Sequence, residues 1–228
     1  VYDDNLNEPR TRSYINSKIP LPNPRQIALD LHEPLDDNDG LFTNLLPHFT
    51  EFIHYDLGLI AQSLHNNGKP FVCSCFMKDS ENCFNIPIPS NDKWNRDQAC
   101  MTMPRSSSTF KQTSCRMSQR EQLNLVTHWL DLSQVYGNTI QKSNEIRLFS
   151  GGLLNSTKVP GHKLSYLPYE TVNNQPTFKS GDMRTNQNLI FLSFQTIWLR
   201  EHNRIAIELS RVNPTWSDEL LFQEARKI

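Results

Sequence analysis

Apolar residues at Leu45, Leu46, Phe49, Phe52, Ile53, Leu57 and Ile60 recur at three- and four-residue steps, which predicts an amphipathic helix from Leu41 to about His65. The longest signal of this kind runs from about Leu189 to Leu209. Shorter helices are expected from about Gln119 to His128 and from Gln141 to Phe149, with a turn ending at Tyr136-Gly137 between them. A last helix starts at Ser217, a good N-cap followed by Asp218 and Glu219 in the first turn. Its pattern continues through Leu220–Ile228 with no Gly, Asn or Pro to end it, so the chain is expected to be a fragment.

Between these patterns the sequence is irregular. Residues 1–40 are rich in Asn, Pro, Asp and Arg, and Pro20, Pro22 and Pro24 predict an extended segment without a helix. Residues 67–117 hold the cysteines around Pro87 and Pro89, and residues 150–183 read as loop with a short hairpin. The expected division is therefore an N-terminal extended segment (1–40), a helix region (41–66), a cysteine loop (67–117) and a set of core helices (118–228). The class is mainly α with long disulfide-bearing loops.

Composition narrows the function classes. Lys and Arg total 23 against 24 Asp and Glu, a formal charge of −1, so neither a basic nucleic-acid footprint nor an acidic tail is present. Hydrophobic residues make up 37%. With glycine the apolar share is roughly 40%, below the roughly 45–50% of an ordinary domain. The longest apolar run, Leu189–Leu192, falls far short of the roughly 20 residues of a membrane helix, and no membrane span is expected. The chain begins at Val1 without a charged-then-apolar leader, so a signal peptide has been removed or was never included.

Four of the five cysteines, Cys73, Cys75, Cys83 and Cys100, lie close together, with Cys115 beyond. Zinc would want Cys-x-x-Cys pairs or nearby His, and Cys73-x-Cys75 is too tight. Two disulfides stapling a loop fit better, and they imply an oxidising, extracellular compartment. The sequon Asn155-Ser156-Thr157 is a glycosylation candidate that agrees with secretion. Cys115 is left to be free, to pair with another chain, or to pair with further sequence.

Oxygen donors alternate along Val126–Ser133: Thr127, Asp131 and Ser133 supply side-chain oxygens, and a backbone carbonyl near Trp129 fills the gap. Hard oxygen ligands in a short loop suit Ca²⁺, although one carboxylate is too little charge for a tight site. Turn formation uses the same residue types. His54, Tyr55 and Asp56 follow one another on the first helix and must face three surroundings, about 100° apart. Arg184 reads as an ordinary loop arginine. Arg200-Glu201-His202-Asn203-Arg204 reads as a structural cluster within the long helix.

Taken in order, several segments resemble the animal haem peroxidase family. They are Arg120-Glu-Gln-Leu-Asn124 leading into Asp131-Leu-Ser-Gln-Val-Tyr-Gly137; Gly181-Asp-Met-Arg184; Leu199-Arg-Glu-His-Asn-Arg204; and Asn213-Pro-Thr-Trp216 leading to Gln223-Glu-Ala-Arg-Lys-Ile228. Cys83-Phe-Asn-Ile-Pro-Ile-Pro89 and Cys100-Met-Thr-Met-Pro-Arg-Ser106 are similar to the family's disulfide segment. The resemblance implies pairing of Cys73 with Cys83 and of Cys75 with Cys100. It also implies a large helical domain holding haem between a distal and a proximal helix.

The family's distal helix carries Asp-His-Asp, where this chain reads His54-Tyr55-Asp56. By that match Asp56 is the calcium aspartate, joining Thr127, Trp129, Asp131 and Ser133. Tyr55 replaces the distal histidine, and His54 replaces the haem-linking aspartate. Arg184 matches the distal arginine, Gln187 takes the place of the second ester-forming glutamate, and Glu51 matches the distal glutamine. Haem contacts are thus expected at Glu51, His54, Tyr55, Arg184 and Gln187. The proximal histidine of the family lies beyond the Gln-Glu-Ala-Arg-Lys-Ile motif with which this chain ends.

A distal base works best with a pKa near the operating pH, whereas a phenol titrates near about 10. Losing the base costs roughly 10²–10⁴ in rate. His54 takes over only if the helix rotates by about one residue, which pulls Asp56 from calcium. The sequence therefore points to a secreted peroxidase-like protein with weak or absent activity and a role in an extracellular matrix or coat. One alternative is an active peroxidase oxidising small donors with hydrogen peroxide; another is a calcium-stabilised matrix protein without haem.

Overall fold

The computed structural model describes residues 12–13, 15–32, 40–77, 82–110 and 120–228. Cys115 lies outside them. The chain divides into two compact units, one of residues 1–39 and 60–125 and one of residues 40–59 and 126–228.

In the first unit a helix, α1 (Pro24–Leu31), forms where proline spacing predicts none. Pro24 sits at its first position, where a missing N–H is harmless, and Asn23 caps it by accepting from the backbone N–H groups of Arg25 and Gln26. The proline thus starts a helix instead of breaking one. Arg25 reaches from α1 to a buried carboxylate, with Nε at 2.6 Å and Nη2 at 3.1 Å from the two oxygens of Asp92. Asp92 also accepts from the N–H groups of Trp94 and Asn95, and the Arg25 hydrogen bond holds its carboxyl well below the usual range. Two short antiparallel pairs follow: β1 (Ile86–Pro87) with β2 (Cys100–Met101), and β3 (Ser108–Phe110) with β4 (Arg120–Gln122). Disulfides Cys73–Cys83 and Cys75–Cys100 staple this region, which has little regular structure of its own.

β4 occupies part of the stretch expected to be a helix from Gln119 to His128. Its residues pair Ser108 with Gln122 and Thr109 with Glu121, and the ladder continues as Ile60 bridges Asn124. The N–H of Ala61 donates to the carbonyl of Leu123 at 3.3 Å. Extended neighbours use the backbone groups that a helix would have paired internally, so tertiary pairing overrides helix propensity.

The second unit is helical: α2 (Leu45–Leu57), α3 (Ser133–Tyr136), α4 (Ile140–Ile146), α5 (Leu189–Val212) and α6 (Asp218–Lys227). Two antiparallel hairpins intervene, β5 (Thr157–Lys158) with β6 (Ser165–Tyr166) and β7 (Tyr169–Val172) with β8 (Gln175–Phe178). α2 is shorter than its apolar pattern predicted, because the chain turns extended at Gly58. Asn188 caps α5 through Phe191 N–H, and Ser217 caps α6 through Leu220 N–H. α5 buries Phe191, Gln195, Leu199, His202 and Ala206, a single stripe at three- and four-residue spacing. That stripe packs into a core with Phe52 and Tyr55 of α2, Val135 and Tyr136 of α3, and Phe222 of α6.

Polar groups buried in this core are mostly paired. His202, only 2% exposed, lies 2.9 Å from the Tyr136 hydroxyl through Nδ1 and 2.9 Å from the Gly152 carbonyl through Nε2. One neutral tautomer satisfies both: Nε2–H donates to the carbonyl and the phenol donates to Nδ1. Gly152 is required there, since its φ is +71° and a Cβ would stand 2.6 Å from Leu221. Arg147 binds Asp218 at 2.9 Å and Glu219 at 2.5 Å while its guanidinium lies 4.0 Å over the Phe222 ring. Among the described residues Gln134 Oε1 and Arg147 Nε lack a hydrogen-bond partner, and fully buried Gln195 has neither amide atom partnered. No helix among the described residues is long and apolar enough to cross a membrane.

Candidate functional site

α2 presents His54, Tyr55 and Asp56 to three different surroundings. His54 is exposed, and its ring lies near Gly58 at the end of the helix. Tyr55 is 7% exposed and packs edge-on against Phe191 at 4.6 Å. Its hydroxyl is 2.8 Å from Glu51 Oε1, one helical turn earlier, and 2.6 Å from the Gln187 side-chain amide. A phenol has one proton to give, so it serves the Glu51 carboxylate while the amide, turned to present its N–H, donates to the phenol oxygen. Burial raises the Tyr55 pKa above its ordinary value, and the hydrogen bond to Glu51 raises it further. Asn188, the cap of α5, closes the group with its amide 3.3 Å from Glu51.

Arg184 is equally committed. Its Nε and Nη2 form a bidentate pair with Asp182 at 2.9 and 2.6 Å, and Asp182 is buried. Nη1 donates to the carbonyl of Gly58 and Nη2 to that of Tyr55, both at 2.9 Å. The guanidinium carbon stands 3.9 Å from the centre of the Tyr55 ring, a cation–π stack. Arg184 therefore ties the end of α2 to the Gly181–Gln187 turn. That turn packs directly on the backbone of α3, for a Cβ at Gly181 would overlap the Gly137 nitrogen and the Ser133 carbonyl.

The structure thus brings Glu51, Tyr55, Arg184 and Gln187 together and leaves His54 outside. The described residues place no free imidazole in this group, for His202 is held between Tyr136 and Gly152. Tyr55 and Arg184 are thus both engaged by protein partners, the phenol by Glu51 and Gln187 and the guanidinium by Asp182 and two backbone carbonyls.

The second group surrounds Asp56, which is 1% exposed. It accepts from Leu132 N–H at 2.9 Å, from Ser133 N–H at 2.8 Å and from the Ser133 hydroxyl at 2.9 Å. Asp131 accepts from the Thr127 hydroxyl at 3.0 Å and from Ser133 N–H at 3.1 Å. Left-handed backbone at His128 (φ 57°) and Leu132 (φ 55°) curls the loop so that these side chains converge. The Trp129 ring is exposed, and its N–H points to the Thr127 oxygen at 3.4 Å. Burial raises the Asp56 pKa despite three hydrogen bonds, and the neighbouring Asp131 charge adds to the rise. Two like-charged carboxylates flanked by hydroxyls are a donor set that a hard divalent cation fits. Among the described residues no group of three or more His, Cys, Asp or Glu forms a metal cluster, so the set stands on two carboxylates.

Asn155 is half-buried beside Leu154, with its N–H on the Ile146 carbonyl at 2.8 Å. Sequence reasoning did not assign roles to Asp182, Asn188 or Arg226. Asp182 stands two residues before Arg184, and Asn188 precedes the apolar run of α5, so both had a local signal. Arg226 had none: it meets Asp131 at 3.8 Å from a distant helix.

Comparison with known proteins agrees with these motifs. Over 100% of its length the chain is 33% identical to a peroxidasin homolog of Mus musculus, of which it covers 17%. It is 31% identical to lactoperoxidase of Mesocricetus auratus, again over 100% of its length and 35% of the relative. The chain therefore spans about a third or less of these relatives. Peroxidase A from Dictyostelium discoideum shares the fold with a TM-score of 0.61 at 21% identity, over 84% of this chain and 39% of that one. A fatty acid alpha-dioxygenase of Arabidopsis thaliana does so with a TM-score of 0.63 at 17% identity, over 86% of this chain and 26% of that one. The sequence matches the animal haem peroxidase domain across residues 1–228, and the chain belongs to that family.

Proposed function

We propose that the chain is part of a secreted, calcium-stabilised peroxidase-like protein whose peroxide chemistry is weak or absent, and which serves in an extracellular matrix or coat. Family membership implies haem, which when bound supplies the redox chemistry of peroxide reduction. The observation that carries the proposal is Tyr55: a phenol with a raised pKa, engaged by Glu51 and Gln187, at the position where the family resemblance places the base. At neutral pH it holds a proton and cannot take one. Arg184 keeps its charge but directs it to Asp182 and two carbonyls, which makes it a positioning residue for α2. His54 stays exposed, and moving it inward would withdraw Asp56 from Ser133.

Calcium is supported by Asp56, Thr127, Asp131 and Ser133, with a carbonyl near Trp129 completing the set. Secretion is supported by the two disulfides, which persist in oxidising compartments. Membership of the family favours a second reading, an active peroxidase using hydrogen peroxide and small donors. Spectra of the full-length protein separate both from a haem-free matrix protein: a haem band is expected, and its absence from protein expressed with ample haem would leave only the calcium role. Calcium is tested by chelation, which is expected to lower the melting temperature of the parent but not of Asp56→Asn. Equal melting with and without chelator in the parent would remove the calcium site.

A further inference from the structure

We propose that Arg226 of α6 competes with a divalent cation for Asp131, so that loading of the Thr127–Ser133 loop is coupled to the hold of α6. The inference rests on the calcium reading of that loop. Asp131 divides its two oxygens: Oδ1 accepts from the Thr127 hydroxyl and Ser133 N–H, while Oδ2 faces Arg226 Nη2 at 3.8 Å. Both side chains are about a third exposed, 29% for Arg226 and 35% for Asp131, so the pair is reachable and movable. The same guanidinium lies 5.0 Å over the Tyr136 ring, which places its charge between the loop and the core. Tyr136 in turn bonds His202 and packs edge-on against Phe222 of α6.

A cation in the loop draws on Asp131 and repels the guanidinium beside it. Each therefore weakens the other, and linkage makes the effect reciprocal. Removing the Arg226 charge strengthens cation binding. Cation binding loosens α6 around Arg226, whose cross-element contacts include the Asp131 pair and the ring stack. The hydroxyls fit the same scheme. Thr127 and Ser133 now point their protons at Asp131 and Asp56, and rotating those protons away exposes lone pairs to a cation without moving the backbone.

Isothermal titration of calcium into the full-length protein tests this, with Arg226→Gln and Arg226→Lys beside the parent. Arg226→Gln is expected to bind about fivefold more tightly, a change within the ordinary range of site-to-site coupling, and Arg226→Lys to stay near the parent. Hydrogen exchange of the unmutated protein supplies a measurement that survives if a variant fails to fold: the amides of Gln223–Lys227 are expected to exchange faster with calcium than with chelator. Equal affinity in parent and Arg226→Gln, or unchanged exchange in α6, overturns the coupling while leaving the calcium reading intact. No calcium binding by the parent overturns both.

Discussion

Tyr55 and Arg184 act as a structural pair, and single substitutions separate their roles. Arg184→Ala leaves the buried Asp182 carboxylate without its bidentate partner and frees two carbonyls. Breaking a buried pair from one side costs about 3–5 kcal/mol, so the denaturant midpoint is expected to drop sharply. Arg184→Lys is expected to recover only part, because an ammonium cannot form the fork. A loss of unfolding free energy under about 1 kcal/mol for the alanine variant, the scale of an exposed ion pair, would show that the tie is slack. At this scale the sequence was informative where chemistry is local. The order His54-Tyr55-Asp56 is itself local, and the family resemblance set on it the expectation of a phenol where the base would stand. What it hid was the use of each group, since the partners of Tyr55 and Arg184 come from distant turns, and the hold of Asp182 on the guanidinium depends on how the Gly181 turn folds.

Among the elements, α5 carries the most testable burial. Gln195 lies on its core stripe with both amide atoms unpartnered among the described residues. Replacing an unsatisfied buried amide by an apolar side chain of similar shape removes a penalty of about 1–3 kcal/mol, so Gln195→Met is expected to stabilise the protein against urea. Destabilisation would instead show that the amide has a partner. The helices α2, α5 and α6 were legible because each carries a 3.6-residue apolar stripe and two carry clear caps. α1 was missed because its proline was read as a breaker when it stands at the first helical position after a capping asparagine. The helix expected from Gln119 to His128 failed for a different reason: the pairing of Arg120–Gln122 with Ser108–Phe110 is long-range, and single-chain periodicity carries no trace of it.

For the whole molecule, acid sensitivity follows from His202. Burial lowers its pKa below the ordinary imidazole value of about 6.5, and the Arg147 and Arg226 charges add to the lowering against the opposing Gly152 hydrogen bond. The unfolded chain binds this proton more readily than the folded one, so the contribution is full above about 6.5 and is lost as pH falls below that toward the lowered folded value. Unfolding free energy is thus expected to fall between pH 7 and 5, with a smaller fall in His202→Gln; parallel pH profiles for the two would exclude His202 as the cause. In the proposed function the phenol on α2 is what makes peroxide chemistry weak or absent. Stopped-flow measurement of peroxide reduction by haem-loaded full-length protein, parent against Tyr55→His, tests it most directly. Restoring an imidazole at Tyr55 is expected to raise the rate by roughly 10²–10⁴, the worth of a positioned general base. A parent that already reacts as fast as the Tyr55→His variant would show that its peroxide chemistry needs no imidazole at that position.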